Sequence, residues 1–126
     1  MTIEILAADD SESIRQMVAF SLKREGFSVT EAADGAEALE KAREKPFDLV
    51  ITDLDMPKMN GIQLVRELRE LGGYGKTPIL LLTTESDAGL KKEARNAGAS
   101  GWIVKPFRPD QLVATVQKLL PAEPAG

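Results

Sequence analysis

The side chains best suited to chemistry in this sequence stand at the ends of short apolar runs. In the segment DLVITDLDMPKMNG, residues 48–61, the run LVI leads into Asp53 and Asp55. Three other apolar runs end in groups that can bind cations, donate hydrogen bonds or carry charge: Asp9 and Asp10, Thr83, and Lys105. Carboxylates, a hydroxyl and an ammonium brought together could hold a transferring phosphoryl group, since positioning and charge neutralisation do most of the protein's work in that reaction.

Five apolar segments predict five β-strands, which alternate with segments of helical periodicity. The predicted strands are Ile3–Ala8, Ser28–Ala32, Asp48–Thr52, Pro78–Thr83 and Gly101–Lys105. The first, third and fourth are almost continuously apolar, as in strands that are covered on both faces. Strands alternating with helices predict an α/β fold with a single doubly wound five-stranded parallel sheet.

The strand ends also predict the order of the strands. In open parallel sheets, sites form at the carboxyl ends of the strands, where the direction of winding reverses. Four predicted strands end in polar groups, whereas the second ends in Ala32-Ala33, which favours an edge position for it. We therefore expect the strand order 2-1-3-4-5, with strands 1 and 3 adjacent and with Asp9, Asp10 and Asp53 converging.

Three converging carboxylates predict a site for a divalent cation. Their mutual repulsion raises their pKa values unless a cation joins them. Oxygen ligands without histidine or cysteine favour Mg²⁺, with Mn²⁺ as an alternative. Lys105 supplies a positive charge opposite Asp53, and Thr83 supplies a hydroxyl donor. Asp53, central among these groups, is the candidate nucleophile, because a carboxylate can form an acyl phosphate.

Composition excludes several other classes of function. The chain has 126 residues, 43% of them hydrophobic, with no cysteine, no histidine and a net charge of −4. The missing residue types exclude thiol nucleophiles, disulfides, serine–histidine pairs and imidazole metal ligands. Without a basic block or a long apolar run, we expect no nucleic acid binding, no membrane association and a soluble, cytoplasmic protein. We expect one domain over residues 1–120 and a flexible C-terminal tail over residues 121–126.

The four strand-end motifs, taken in order, resemble those of a two-component response-regulator receiver domain of the CheY-like type. The motifs are DD at 9–10, DLDMPKMNG at 53–61, LLTTES at 81–86 and KPF at 105–107. The resemblance covers residues 3–120 and implies the flavodoxin/CheY-like fold. It also implies a signalling switch rather than an enzyme, one that assists its own phosphorylation and dephosphorylation.

The resemblance implies a role for each acid. Asp53 would be phosphorylated, and it would ligate Mg²⁺ together with Asp10. The main-chain carbonyl of Asp55 would complete the protein's share of ligands, and Asp9 would hold a metal-bound water. We further expect the side chain of Asp55 to tune the rate at which water removes the phosphoryl group.

Further implied roles surround the phosphoryl group. Thr83 and Lys105 would contact its oxygens, and the Lys105–Pro106 bond would be cis. Trp102 stands where the family usually has tyrosine or phenylalanine, and with Thr83 it would form the switch that moves on phosphorylation. Its indole carries a donor that needs a partner. We expect Glu85, two residues after Thr83, to be a second residue that tunes dephosphorylation.

The implied phosphodonor is a phosphohistidine on a sensor histidine kinase. We expect a stand-alone monomer whose output surface comprises the fourth helix, the fifth strand and the fifth helix, near Trp102. The preferred pathway is chemotaxis, with a flagellar motor switch protein as the downstream partner and a phosphatase as a further partner. The alternatives are a phosphorelay shuttle, a phosphate sink, or a receiver excised from a transcriptional regulator.

A second class of function shares the central motif. ITDLDMP resembles the Asp-x-Asp motif of haloacid-dehalogenase-type phosphatases, in which Asp53 would attack a substrate phosphate and Asp55 would be the general acid. That class places the motif near the chain start and needs another acidic motif downstream. Here the acidic pair Asp9-Asp10 lies upstream, which favours the receiver. A flavodoxin-like cofactor module is rejected, because its first loop needs hydroxyls where this chain has two carboxylates.

Overall fold

Strands and helices alternate along the chain. The structure, a computed structural model, describes residues 2–84 and 87–120. The elements follow in the order β1 (Glu4–Ala8), α1 (Glu12–Lys23), β2 (Ser28–Ala32), α2 (Gly35–Glu44), β3 (Leu49–Asp53), α3 (Gly61–Glu70), β4 (Ile79–Thr83), α4 (Ala88–Ala97), β5 (Gly101–Val104) and α5 (Pro109–Leu119). The tail predicted at 121–126 lies outside the described residues.

The five strands form one parallel sheet in the order β2-β1-β3-β4-β5, which confirms the predicted fold and strand order. β2 and β5 are the edge strands, and β1 lies beside β3. The winding therefore reverses between β1 and β3, and the carboxyl ends of these two strands flank the switch point.

Side chains of the central strands alternate between two cores, one on each face of the sheet. In β3, Val50 packs into the core covered by α2, α3 and α4, whereas Leu49 and Ile51 pack into the core covered by α1 and α5. In β4, Leu81 faces the first core and Leu82 faces the second. The register of these strands is thus fixed, because a slip of one residue would exchange the two cores.

The boundaries of four strands differ by one residue from those predicted, and in β1 and β4 the only difference is a start one residue later. β3 begins one residue later and includes Asp53 as its last residue. The Leu54 N–H donates to the Leu82 carbonyl at 2.8 Å, so the ladder between β3 and β4 continues past Asp53. β5 ends at Val104, one residue before Lys105. The candidate nucleophile is therefore held by a strand rather than by a loop.

Most helices begin with a side-chain cap that satisfies a first-turn N–H. The capping residues are Ser11, Asp34, Asn60 and Asp87. α4 is capped at its carboxyl end by Gly98, whose φ of 114° lies in the left-handed region that favours glycine. In the part of the chain that the structure describes, no helix has the length and apolar character needed to span a membrane.

One arginine joins the loops at the amino end of the sheet, opposite the strand-end acids. Arg69 in α3 donates to the Gly98 carbonyl from Nε at 3.1 Å and from Nη2 at 2.6 Å. Its Nη1 donates to the carbonyls of Tyr74 and Thr77 at 2.6 and 2.7 Å. The Tyr74 hydroxyl donates in turn to the Ala42 carbonyl at 2.8 Å. Side-chain to main-chain bonds thus hold together the loops around this end.

α3 approaches the end of β3 so closely that its first residue must be glycine. A Cβ atom at Gly61 would lie 2.5 Å from the Asp53 carbonyl oxygen and 2.7 Å from the Leu81 side chain. The Gly61 N–H donates to the Leu54 carbonyl at 2.9 Å. This bond closes a turn that contains Lys58, a non-glycine residue with a φ of 70°. The turn brings α3 directly behind the candidate nucleophile.

We expect Gly61→Ala to lower the free energy of unfolding by about 1–3 kcal/mol, because the added methyl group overpacks the contact with Asp53. Gly72→Ala is the matched control, since a Cβ there meets no atom within 4 Å. The control should change the free energy of unfolding by less than about 0.5 kcal/mol. Urea unfolding followed by circular dichroism measures both. Equal effects of the two substitutions would contradict the close approach of α3.

Candidate functional site

The acids of the first and third predicted strand ends meet at the switch point of the sheet. Asp9 directly follows β1, and Asp53 is the last residue of β3. One carboxylate oxygen each from Asp9, Asp10 and Asp53 lies within 4.8 Å of the other two. Asp9 and Asp53 are buried, and Asp10 is exposed. These three residues, the acid pocket, therefore reach solvent on the side of Asp10.

Asp53 is held firmly within the acid pocket. Its Oδ1 accepts a hydrogen bond from Lys105 Nζ at 3.0 Å, and its carboxyl group also accepts one from the Asp55 N–H. The residue is only 3% exposed, and its backbone pairs with Leu82 of β4. Donors from two directions and a buried strand thus fix the carboxylate.

Asp9 is bound at four atoms and belongs to the framework of the site. Its N–H donates to the Ala32 carbonyl at 3.1 Å, which continues the pairing of β1 with β2. Its Oδ1 accepts from the Ser11 N–H at 2.9 Å, and its Oδ2 accepts from Lys105 Nζ at 3.2 Å. Its carbonyl accepts from Arg15 Nη1 at 2.7 Å. Asp9 therefore connects β2, α1 and the end of β5.

Lys105 enters the acid pocket directly after β5. Its ammonium bridges Asp9 and Asp53, and its side chain is only 12% exposed. Burial lowers the pKa of Lys105, but the hydrogen bond to Asp53 and the charges of the two carboxylates outweigh this effect and raise the pKa above its ordinary value. The ammonium is thus charged at neutral pH and offsets one negative charge.

Burial raises the pKa of Asp53 from 3.8 to about 6. The charge of Asp9 adds to this increase, whereas the hydrogen bonds from Lys105 and from the Asp55 N–H oppose it. One ammonium therefore does not offset the whole cost of placing a second carboxylate in this buried position. At about pH 7 most Asp53 side chains are nevertheless ionised, which is the form that a nucleophile requires.

The donor set of the acid pocket suits a hard divalent cation. Three carboxylates against one ammonium leave an excess of negative charge at neutral pH. A cation would relieve the repulsion that contributes to the raised pKa of Asp53. Ions such as Mg²⁺ prefer oxygen ligands and retain several waters, for which the exposed side at Asp10 leaves room. The acid pocket is therefore compatible with a divalent metal ion.

The other predicted site residues lie at the neighbouring strand ends. Thr83 ends β4 and is fully buried, and its carbonyl accepts from the Lys105 N–H at 2.7 Å. The Asp55 side chain is exposed. The Lys105–Pro106 bond is cis. Glu85 lies outside the described residues, and the proposed roles of all these side chains stay predictions.

Trp102 packs partly against the core covered by α2, α3 and α4 and lies opposite Leu81 in the register of β4 and β5. Within the described chain its buried Nε1 has no hydrogen-bond partner. A groove of about 170 Å³ lies beside the ring and is lined in part by Lys91 and Arg95 of α4. The partly buried Trp102 of β5 therefore lines a groove that it shares with α4.

Two residues that hold the acid pocket were not predicted from the sequence. Ser11 donates its N–H to Asp9 and caps α1, and a serine ahead of a helical pattern is a recognisable signal for such a cap. Arg15 carries no comparable signal. Its target is the Asp9 carbonyl, which only the folded loop brings within reach.

Solved structures share both the fold and a substantial part of the sequence. The chemotaxis protein CheY4 of Vibrio cholerae superposes with a TM-score of 0.93 at 48% identity, covering 95% of this chain and 100% of that one. A CheY-like response regulator receiver domain protein from Methanospirillum hungatei superposes with a TM-score of 0.88 at 28% identity, covering 94% of each chain. The architecture is therefore that of a CheY-like receiver.

The sequence comparisons agree with the fold. The response regulator receiver domain family matches residues 5–117. The transcriptional regulatory protein SrrA of Staphylococcus aureus is 40% identical over 120 residues, which are 95% of this chain and 48% of SrrA. The chain thus spans about half the length of that relative. It belongs to the response regulator receiver domain family, whose members are signalling switches that accept phosphoryl groups from histidine kinases and act on downstream targets.

The raised pKa of Asp53 predicts a pH-dependent gain in stability for Asp53→Asn. A carboxyl group whose pKa rises from 3.8 to about 6 on folding contributes its full stability below pH 3.8 and loses it as the pH rises through about 6. Without metal, the variant should therefore exceed the parent in free energy of unfolding by about 1–3 kcal/mol at neutral pH. The difference should shrink toward pH 4. Urea unfolding in a chelator at several pH values measures it.

Asp110→Asn serves as the control, because Asp110 is exposed and its ion pair among the described residues is with the exposed Arg108. It should change the free energy of unfolding by less than about 0.5 kcal/mol at every pH. Added Mg²⁺ should stabilise the parent more than Asp53→Asn, since the variant lacks one ligand. A difference between parent and Asp53→Asn that does not vary with pH would contradict the burial argument.

Proposed function

We propose that this chain accepts a phosphoryl group on Asp53 with the help of Mg²⁺, and that phosphorylation changes a partner-binding surface. The observation that carries the proposal is the pairing of a buried carboxylate with a largely buried ammonium, Asp53 Oδ1 and Lys105 Nζ at 3.0 Å, beside two further acids. Family membership supports the phosphohistidine of a sensor histidine kinase as the donor. The proposal includes a cytoplasmic, monomeric protein that acts as a switch rather than as a turnover enzyme.

In the proposed reaction, a carboxylate oxygen of Asp53 attacks the phosphorus atom of the phosphohistidine. The P–N bond breaks as the new P–O bond forms, and imidazole leaves with the electron pair and takes up a proton. Asp53 becomes an acyl phosphate. Lys105 pairs with the added negative charge, and the Thr83 hydroxyl donates to a phosphoryl oxygen.

The acid pocket fits Mg²⁺, which when bound supplies positive charge for the phosphoryl oxygens. The residues that would hold it are Asp10, Asp53, the main-chain carbonyl of Asp55, and Asp9 through a water. Their burial differs, since Asp9 and Asp53 are buried and Asp10 is exposed. The buried pair gives the site rigidity, and the exposed acid lets the ion enter from solvent.

The proposed output surface comprises α4, β5 and α5. Only Ala94 of α4 is buried, so that helix presents most of its side chains to solvent. Val104 of β5 is 37% exposed, and the groove beside Trp102 is lined by Lys91 and Arg95. A partly apolar surface with two cations is suited to a protein partner. The Trp102 and Thr83 switch would alter this surface on phosphorylation.

Chemotaxis is the pathway that we favour, with a flagellar motor switch protein as the downstream partner and a phosphatase that ends the signal. The support is the likeness to Vibrio cholerae CheY4, all of which is covered by the alignment at 48% identity. A receiver within a longer transcriptional regulator is the second candidate, supported by the likeness to SrrA at 40% identity. A phosphorelay shuttle and a phosphate sink remain further alternatives.

Incubation with Mg²⁺ and a small acyl-phosphate donor should add one phosphoryl group to Asp53. Intact-protein mass spectrometry should show a single added phosphoryl mass, and peptide mapping after borohydride trapping should assign it to Asp53. Asp53→Asn should show at least about a tenfold loss of labelling, because the nucleophile is absent. Labelling of Asp53→Asn as complete as that of the parent would contradict the proposal that Asp53 accepts the phosphoryl group.

The same preparation separates the receiver from a phosphatase of the haloacid-dehalogenase type. A receiver should give no sustained release of p-nitrophenol from p-nitrophenyl phosphate, because Asp53 is modified once rather than many times. Sustained turnover that is lost in both Asp53→Asn and Asp55→Asn would favour the phosphatase.

Asp55→Ala and Glu85→Ala, the two proposed tuning variants, would be compared for the rate of phosphoryl loss.

Capture experiments on beryllofluoride-loaded protein should identify the output pathway. We expect a flagellar motor switch protein to bind the loaded chain at least about tenfold more tightly than the unloaded chain, because the loaded state mimics phosphorylation. The substitutions Lys91→Ala and Arg95→Ala should weaken that binding. Arg43→Ala is a control for charge alone, because Arg43 is exposed in the last turn of α2, outside the proposed output surface. Equal binding with and without beryllofluoride would contradict the chemotaxis proposal.

A further inference from the structure

Arg15 joins three elements beside the acid pocket. Its Nη1 donates to the Asp9 carbonyl at 2.7 Å, and its Nε lies 3.3 Å from Glu31 Oε1. The Arg15 side chain is only 17% exposed. Glu31 is held in turn, because its own carbonyl accepts from Lys41 Nζ at 2.6 Å. The guanidinium of α1 is thus supported by the edge strand β2 and by α2 while it holds the end of β1.

The bond to the Asp9 carbonyl has a geometric consequence for the next residue. The carbonyl of Asp9 and the N–H of Asp10 belong to one planar peptide unit, so an atom that fixes the carbonyl also fixes the direction of that N–H. The same unit fixes the Cα of Asp10 and its N–Cα bond, from which the side chain branches. Asp9 has three further bonds to hold it, but Asp10 is exposed and does not pack into the core.

We propose that Arg15 is a positioning residue for the divalent cation: it holds the Asp9–Asp10 peptide so that the exposed carboxylate of Asp10 faces the two buried ones. This inference rests on the proposed function, specifically on Mg²⁺ binding in the acid pocket. Arg15 itself carries a positive charge and binds no cation. It acts on the cation site through the main chain of Asp9.

Holding the Asp9–Asp10 peptide in this way needs the planar guanidinium group of an arginine. Arginine can donate from Nη1 to the carbonyl and from Nε to Glu31 at the same time, and its geometry is set by the two bonds together. A lysine at this position has the same charge but a single ammonium on a flexible stem. It cannot hold both acceptors in the same fixed arrangement.

Positioning and charge predict opposite outcomes for the affinity of Mg²⁺. If Arg15 acted only through its charge, its removal would strengthen cation binding, because a nearby positive charge repels Mg²⁺. If it positions Asp10, its removal weakens binding even though the repulsion is lost. Groups that orient metal ligands typically affect metal affinity by about 10–100-fold.

The test is calorimetric titration of the full chain with Mg²⁺ in the parent, Arg15→Lys and Arg15→Met. We expect both variants to bind Mg²⁺ about tenfold more weakly than the parent. Arg24→Met is the matched control, because Arg24 is an exposed arginine at the far end of α1. Circular dichroism without metal checks that each variant is folded, and Arg15→Lys decides the outcome if Arg15→Met does not fold.

The rate of phosphorylation by a small acyl-phosphate donor gives a second measurement. At low Mg²⁺ the Arg15 variants should label about tenfold more slowly than the parent, and saturating Mg²⁺ should restore the rate to within about twofold. A role in stability alone would not produce that dependence on Mg²⁺.

Three results would overturn the inference. An unchanged affinity in all variants would reduce Arg15 to a purely structural role. Unchanged binding in Arg15→Lys with tighter binding in Arg15→Met would show that charge alone matters. If the parent itself fails to bind Mg²⁺, the cation site of the proposed function fails, and the inference fails with it. The last result differs from the first two, since it is seen in the parent.

Discussion

One largely buried ammonium between two buried carboxylates is the interaction on which this site depends. Lys105 Nζ lies 3.2 Å from Asp9 and 3.0 Å from Asp53. Removing two such carboxylates from water without a counter-ion would be strongly unfavourable. The ammonium offsets part of that cost, and the remainder is evident in the pKa of Asp53, raised to about 6. The acid pocket therefore keeps an excess of negative charge that a divalent cation can neutralise.

The packing of the sheet sets these distances. The three partners come from the ends of β1, β3 and β5, and in a parallel sheet these ends lie along one edge. In the register of the sheet, Asp53 lies opposite Leu82 and Thr83 lies opposite Val104. Lys105 therefore lies one position beyond the end of β4. The register behind this alignment is maintained by the alternation of apolar side chains between two cores. The geometry of the polar site is thus a consequence of apolar packing.

Much of the fold, and the meeting of Asp9, Asp10 and Asp53, could be predicted from the sequence. Apolar runs marked the strands, and the uncharged end of the second strand at Ala32 was sufficient to identify an edge and hence the strand order. Family membership was also recognisable, because the four motifs fall at strand ends in a fixed order. The extra residue of β3 was not predictable, since it depends on the bond between the Leu54 N–H and β4.

The contacts of long side chains were the other part that could not be predicted. Arg15 and Arg69 both donate to main-chain carbonyls on other elements. Every residue has a carbonyl, so the sequence contains no signal for the one that an arginine will meet. The surroundings of Trp102 could not be predicted either, because they are set by the packing of α4 against β5. Its buried Nε1 has no hydrogen-bond partner in the described chain. Residue type predicted the chemistry here, and tertiary packing determined the partners.

The contrast between the exposed Asp10 and its two buried neighbours has a kinetic consequence. The acid pocket has a solvent-facing side at Asp10. Asp55, two residues after Asp53 in the sequence, is also exposed. A metal ion, a phosphodonor and a hydrolytic water that approach from this side would compete for one entrance. A wider entrance would speed both the arrival and the loss of a phosphoryl group. The duration of a signal would then depend on side chains at the entrance, which can vary without altering the buried carboxylate–ammonium pair.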